Sequence, residues 1–358
     1  MDVGPLQRRG ALSPLRVLVV NAGSATLKLS VLEGSGEGWV DVAGGDDLDA
    51  LLAALPGPPD AVGHRFVHGG DRTAAVVVDE VVTHELRALT PLAPLHQPPA
   101  LEGVRRCAEA LPGVPQVACF DTAFHTSIPP AAATYAVPRR FREVLQVRGF
   151  HGLSYAWSAR RVAELLPGAR RVLVAHLGAG ASLAALRDGR SVHTTMGATP
   201  LDGLVMATRP GALDPGAVAW LAARHGQELT EILWHESGLA ALAGTGDMRE
   251  LLSRRDAGDA DAVAALAVWS HRLLVEAGGC AAALGGLDAL VFTGGIGENA
   301  PSLRAELCRS LGFLGVEPVR DEPDADGFLS GGDALVPVLV VHAREDLQVA
   351  AEVAALLR

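Results

Sequence analysis

Residues 171–182 read R-V-L-V-A-H-L-G-A-G-A-S, and this stretch limits the folds open to the chain. Val172, Leu173, Val174 and Ala175 form a short apolar run suited to a buried strand. Small residues follow, Gly178, Ala179, Gly180 and Ala181, where backbone N–H groups can come close to a ligand and positive φ is allowed. Residues 16–24, R-V-L-V-V-N-A-G-S, repeat the pattern and lead into Ala25, Thr26, Leu27 and Lys28. A third version, residues 289–299 (A-L-V-F-T-G-G-I-G-E-N), ends in a more open glycine turn. Two copies of one strand–turn–strand unit predict two similar lobes facing each other. Three glycine turns offer three places where backbone donors can meet phosphate.

The 358 residues are enough for two domains with substantial cores. With 49% hydrophobic and 20% charged residues, the composition is that of a folded soluble protein. A net charge of −11 argues against nucleic acid or an anionic membrane as the main partner. Cys107, Cys119, Cys280 and Cys308 match neither a zinc spacing nor a disulfide framework, and a reducing cytoplasm is expected. Residues 1–14 read as a loose extension without a signal-peptide apolar core, and no run is long enough to span a membrane.

Further along, residues 27–32 read as the return strand of a hairpin, and 34–45 as an acidic loop. Helices are expected over 48–55, 81–92, 101–110, 156–166, 215–224, 261–284, 302–311 and 347–357. Asp214 and Pro215 give the helix at 215 an N-cap and a proline start. Residues 61–71 read as a strand into a Gly-Gly turn, and strands are expected over 117–120 and 336–341, with Asp121 at a strand's C-terminal end, where α/β folds commonly place chemistry. Residues 196–214 form a long loop carrying Arg209. No composition break or tether separates the lobes.

Together these motifs resemble the acetate kinases, of the acetate and sugar kinase, heat-shock ATPase and actin superfamily. The resemblance rests on N-A-G-S-A-T-L-K (21–28), G-H-R-F-V-H-G-G-D (63–71), L-A-P-L-H-Q-P-P-A-L-E-G (92–103) and F-D-T-A-F-H (120–125). Residues 149–154 with 176–182, and 196–215 with 293–299, complete it, so the motifs run over nearly the whole chain. The resemblance implies an α/β fold of two ribonuclease H-like, actin-like lobes around a cleft. Residues 1–120 plus 348–358 would form the N-terminal lobe, and 121–347 the nucleotide-binding and dimerisation lobe. It further implies a cytoplasmic homodimer that phosphorylates acetate from ATP with Mg²⁺, Mn²⁺ being the alternative cation. Propionate or butyrate, or another phosphoryl donor, is the alternative within enzymes. An actin-like nucleotide-binding protein with impaired catalysis is the alternative outside them.

In-line phosphoryl transfer to a carboxylate needs positioning and positive charge more than covalent chemistry. By resemblance, the catalytic residues are Arg65, Asp121, His151 and Arg209. The two guanidinium groups would hold a carboxylate and bridge to the moving phosphoryl group. A carboxylate acceptor is already ionised at neutral pH, so Asp121 either handles a proton or orients Arg65 or a magnesium-bound water. Lys28, Ser24 and Thr26 would meet the β- and γ-phosphates, with His176, Leu177, Gly178, Ala179 and Gly180 opposite. Asp247, Met248, Arg249, Gly295, Ile296, Gly297, Glu298 and Asn299 would lie along the nucleoside and α-phosphate. Asn21 and Glu345 would serve the metal. Val67, Leu95, His96, Phe150 and Pro200, beside Arg65, would shape the acyl pocket.

Four positions depart from the family pattern. Ala179 stands in H-L-G-A-G where the family has asparagine. Pro210 and Ala212 replace serine and an acidic residue after Arg209. Tyr155 ends the G-F-H-G loop where the family has histidine. The chain is also shorter than usual before Gly63. These changes bear on nucleotide affinity and donor identity more than on reaction class.

Overall fold

In a computed structural model, the structure describes residues 14–22, 27–35, 38–317 and 325–358. The extension at residues 1–13 lies outside them, as do Ser24 and Thr26. Among the described residues, twelve strands form two six-stranded mixed sheets of the actin-like two-lobe type.

The first sheet contains β1 (Leu15–Ala22), β2 (Leu27–Ser35), β3 (Gly38–Gly45), β4 (Ala61–Phe66), β5 (Val76–Val77) and β6 (Gln116–Phe120), in the order β3-β2-β1-β4-β6-β5. The second contains β7 (Arg171–Leu177), β8 (Ala181–Arg187), β9 (Arg190–Thr194), β10 (Ala289–Thr293), β11 (Gly327–Phe328) and β12 (Val338–Val340). Its order is β9-β8-β7-β10-β12-β11, the same path through a sheet. Each sheet has a three-stranded antiparallel meander, then two parallel neighbours, then an antiparallel edge strand. The repeated strand–glycine pattern at 16 and 171 is therefore one unit used twice.

Alternation along β1 and β2 turns Val17, Val19 and Leu32 to one core, and Leu18, Val20, Leu29 and Val31 to another. The helix Gln97–Ala110 packs on β1 and β4, and Glu345–Leu357 packs on β1, β2, β4 and β6. In the second lobe Ala260–Leu284 packs on β7 to β9, and Gly152–Leu165 on β7 and β10. Gly152–Leu165 and Glu345–Leu357 also pack on each other, so the lobes meet helix to helix. Leu153 enters the core of the first lobe, beside Val17 and Val349.

The structure corrects several sequence expectations. Residues 38–45, read as loop, form the edge strand β3, whose residues are mostly exposed and whose register derives from pairing with β2. The open turn after β10 is a short helix, Gly294–Asn299, entered through Gly294 at φ +78°. Helix Gln97–Ala110 starts before its two prolines, because a first helical turn has no N–H to lose there. Helix Gly152–Leu165 starts directly after His151, which takes the left-handed conformation at φ 58°. Asp214 caps its helix as expected, accepting from Ala217 N–H at 2.9 Å. The four cysteines are free and buried. Among the described residues, no helix is long and apolar enough to cross a membrane.

Gly63 lies on β4 against the helix that begins at Glu345. A Cβ there would stand 2.5 Å from Val349 Cγ1 and 2.9 Å from Val353 Cγ2. Gly63→Ala is expected to lower unfolding stability by about 1–3 kcal/mol through overpacking. Urea unfolding midpoints measure this, and an unchanged midpoint would contradict the packing.

Candidate active site

The carboxyl ends of β1, β4 and β6 from one lobe face the ends of β7 and β10 from the other, the usual crevice of open α/β sheets. Two adjoining cavities occupy this crevice. The smaller, about 190 Å³, is lined by Asn21, Ala22, Arg65, Val67, His96, Asp121, Phe150, His151, Gly180, Pro200 and Arg209. The larger, about 480 Å³, has Lys28, His176, Ala179, Gly294, Gly295 and Glu345 in its wall. Asn21 and Arg65 border both.

Arg65, near the end of β4, is held on three sides. Its Nη2 donates to Asp121 Oδ2 at 2.8 Å, its Nη1 pairs with Glu345 Oε2 at 2.8 Å, and Nη1 reaches Asn21 Oδ1 at 3.4 Å. Burial works against its charge, but Asp121 and Glu345 outweigh that and hold its pKa above the ordinary value. Asp121 is fully buried. Burial and, secondarily, Glu345 push its carboxyl up, while Arg65 pulls it down; the net direction is upward.

Arg209 differs. Its Nη1 donates to the Pro200 carbonyl at 2.6 Å, and its guanidinium carbon lies 5.9 Å from the Trp234 ring centre. Among the described residues no carboxylate pairs with it, and burial lowers its pKa to about 10, so it stays charged at neutral pH. Gly180 lies beneath it: a Cβ there would be 2.6 Å from Arg209 Nη2 and 3.3 Å from His151 Nε2. Glycine is needed at 180 for that close approach, since its φ is not positive.

His151 and His176 stack with ring centres 4.2 Å apart. Burial first, then the neighbouring His176, Arg65 and Arg209, hold His151 well below its usual range. Burial and Arg65 draw His176 down to about 4, and burial with Arg209 and Arg65 does the same to His96. Uncharged imidazoles leave the positive charge of the smaller cavity to the two arginines.

The remaining residues named from sequence are less close to the cavities. Leu95 is partly buried and lines neither. Leu177 and Met248 are core residues. Gly178 N–H donates to the Gly180 carbonyl at 3.1 Å, closing the turn on itself. Asp247 caps the helix Met248–Asp256 and pairs with the exposed Arg249 at 2.7 Å, outside both cavities. Ile296 packs against the core and Gly297 is buried. Glu298 Oε1 accepts from Gly294 N–H at 2.8 Å and Ala343 N–H at 2.9 Å, while Asn299 donates to the Gly295 carbonyl. Sequence reasoning passed over Ser30 and Asp346, which line the larger cavity. Strand alternation marks Ser30, two residues after Lys28 on the same face.

The profile of the Acetokinase family matches residues 58–351. The chain belongs to the acetokinase family. It is 42% identical to the acetate kinase of Leifsonia xyli subsp. xyli, over 93% of this chain and 97% of that protein. It is 37% identical to the acetate kinase of Thermotoga maritima, over 94% and 97%. The alignment with the Leifsonia protein runs over 384 positions, more than the 358 residues here, so this chain omits stretches that its relative carries. Among solved structures, Porphyromonas gingivalis acetate kinase superposes with a TM-score of 0.82 at 30% identity, over 96% of this chain and 100% of that one. A propionate kinase from Francisella tularensis subsp. tularensis gives 0.82 at 32%, over 95% and 99%.

His64, His68, His96, His125 and His176 are each drawn down to about 4, chiefly by burial, from the 6.5 or so of an unfolded chain. Between those values the unfolded state binds more protons than the folded one. This contribution to stability is complete above pH ~6.5 and is lost as pH falls towards 4. The unfolding free energy is expected to fall between pH 6 and pH 5 by more than the ~1.4 kcal/mol per pH unit of one group. Denaturant titrations at pH 7, 6 and 5 check this; equal stability at all three would contradict buried neutral rings.

Proposed function

We propose that the protein transfers the γ-phosphoryl group of ATP to acetate, giving acetyl phosphate. The observation that carries this reading is Arg209, a partly buried cation without a carboxylate partner among the described residues, facing a small cavity also bordered by Arg65. Such a cavity suits a small anion, being below the size of most organic-ligand pockets. The family membership and the acetate kinases among its relatives support the same reading.

In this reading the acyl oxygen lies between the forks of Arg65 and Arg209, which also neutralise charge on the in-flight phosphoryl group. Val67, Phe150 and Pro200, with His96 and the more distant Leu95, take the methyl group. His151 donates a hydrogen bond to the transferring group. Asp121 acts by holding Arg65 rather than as a base, because its carboxylate is engaged by that guanidinium at 2.8 Å. Lys28 and His176, the backbone at Gly178, Ala179 and Gly180, and Gly295 face the phosphate chain; Ser24 and Thr26 belong to the same proposal on sequence alone. Leu177, Gly297 and Glu298 support this wall from behind. Asp247, Met248, Arg249, Ile296 and Asn299 are assigned to the nucleoside side.

Asn21 and Glu345 fit a hard divalent cation. Glu345 pairs with Arg65 through Oε2, and its Oε1 would serve as the ligand oxygen. So sparse a donor set suits Mg²⁺ completed by water and phosphate oxygens. The cation would shield charge between the β- and γ-phosphates.

The lobe division at 120 and 348 belongs to the same proposal, although the last helix starts at Glu345. So does a homodimer formed through the apolar residues left exposed on and beside the long helix, Leu242, Val263, Val268 and Val275 among them. A cytoplasmic location completes it. Propionate is the second reading, because a relative of known structure is a propionate kinase and an apolar pocket separates acids differing by one methylene by only about 1–3 kcal/mol.

A coupled assay of acyl phosphate formation tests the reading. It compares acetate, propionate and butyrate, each with ATP, GTP and pyrophosphate. Formation with acetate and ATP is expected; no product from any pairing would refute the assignment. Arg209→Ala is expected to lower kcat by about 10²–10³-fold with a small change in KM for ATP. Near-normal turnover would contradict the role of Arg209. Asp121→Asn is expected to raise KM for acetate and lower kcat without removing a limb from the pH–rate profile. A lost limb would show that Asp121 handles a proton.

A further inference from the structure

Tyr155 stands in the first turn of helix Gly152–Leu165, four residues after His151, and is fully buried. Its phenol oxygen lies 2.5 Å from Ser182 Oγ, and Ser182 Oγ lies 2.9 Å from His151 Nδ1. Ser182 is fully buried on β8, paired across the ladder with His176 on β7. Among the described residues Ser182 is the hydrogen-bond partner of the phenol, and Tyr155 and His151 are those of Ser182 Oγ.

The donors and acceptors then order themselves. A buried phenol needs an acceptor for its hydrogen, and Ser182 Oγ supplies it. Burial also raises the phenol's pKa, so Tyr155 keeps that hydrogen. The Ser182 hydrogen must go to its other neighbour, His151 Nδ1, which accepts it as a lone pair. The ring proton of His151 is thereby placed on Nε2. That nitrogen faces Gly180 and the small cavity, since a Cβ at Gly180 would lie 3.3 Å from it. The adjacent pair repeats the arrangement: Ser154 Oγ lies 2.8 Å from His176 Nδ1, and His176 Nε2 faces Gly294.

We infer that Tyr155 is a positioning residue that fixes the tautomer of His151 through Ser182, so that Nε2–H and not a bare lone pair faces the cleft. The link to catalysis rests on the kinase reading, in which an anionic phosphoryl group meets that nitrogen. The tautomer assignment itself stands on geometry alone. Without the phenol, the Ser182 hydroxyl is free to turn, and either tautomer of His151 satisfies it. The opposite tautomer would direct a lone pair at negative charge, and a wrong histidine tautomer is known to be costly in catalysis.

The test uses the full chain labelled with ¹⁵N-histidine, the His151 signals being assigned by their loss in His151→Gln. The wild type is expected to show the Nε2–H tautomer and Tyr155→Phe a mixture. In the acyl phosphate assay Tyr155→Phe should lose about tenfold or more in kcat, with KM for acetate and ATP within about twofold. Ser182→Ala should lose at least as much, and the double variant should be no slower than Ser182→Ala alone, because the tyrosine acts through the serine. An unchanged single tautomer in Tyr155→Phe would overturn the inference, as would losses that add in the double variant. A tautomer shift in a protein that makes no acyl phosphate would uphold the positioning role and refute the kinase reading.

Discussion

The cleft is organised by one guanidinium held by groups from three directions. Arg65 on β4 meets Asp121 after β6, Asn21 at the end of β1 and Glu345 at the start of the last helix. An arginine this far from bulk water is tolerable only with its partners in place, and an ion pair of this kind costs several kcal/mol when one side is removed. The strand ends and the helix start are therefore fixed relative to one another by electrostatics as well as by the apolar core beneath them. Arg209 supplies the contrast. It comes from an irregular loop, rests on a carbonyl and an indole, and keeps an unneutralised charge for a ligand. One cation is anchored by carboxylates and one is left available.

Two sheets with the same strand order present their carboxyl ends to a common crevice. Duplication explains why strand–glycine units at 16 and 171 both end at the cleft. The two copies have diverged in use. The first ends in Asn21 and leads to Lys28, whereas the second ends beside His176 and turns tightly enough for Gly180 to lie beneath Arg209. The neutral histidines of the cleft add no charge, so its electrostatics do not swing with small changes of pH near neutrality.

Much of this was legible in the sequence. The β-branched runs before each glycine turn located β1, β7 and β10, and the motifs around them located Arg65, Asp121, His151 and Arg209. What escaped detection depended on partners distant in sequence. β3 has little apolar patterning of its own and is a strand because β2 supplies its hydrogen bonds. The residues 294–299 look like a turn but form a helix whose first N–H is taken by Glu298, a carboxylate that also holds Ala343. No local pattern shows that Tyr155 and Ser182 meet, since they lie 27 residues apart on different elements. The motif at 247–249 was legible as a motif, yet its charges are spent on capping a helix and on each other at the surface.

At Gly152 a Cβ would sit 1.9 Å from the backbone oxygen of Asp121 and 2.9 Å from Phe124 Cβ. The first turn of that helix thus rests directly on the peptide that carries the aspartate, with no side chain as a cushion. Any tilt of the helix must be shared by Asp121, and through Asp121 by the fork of Arg65. The same helix end carries His151, so the imidazole of one lobe and the guanidinium of the other ride on a single rigid bearing, and lobe rotation about it would preserve their spacing.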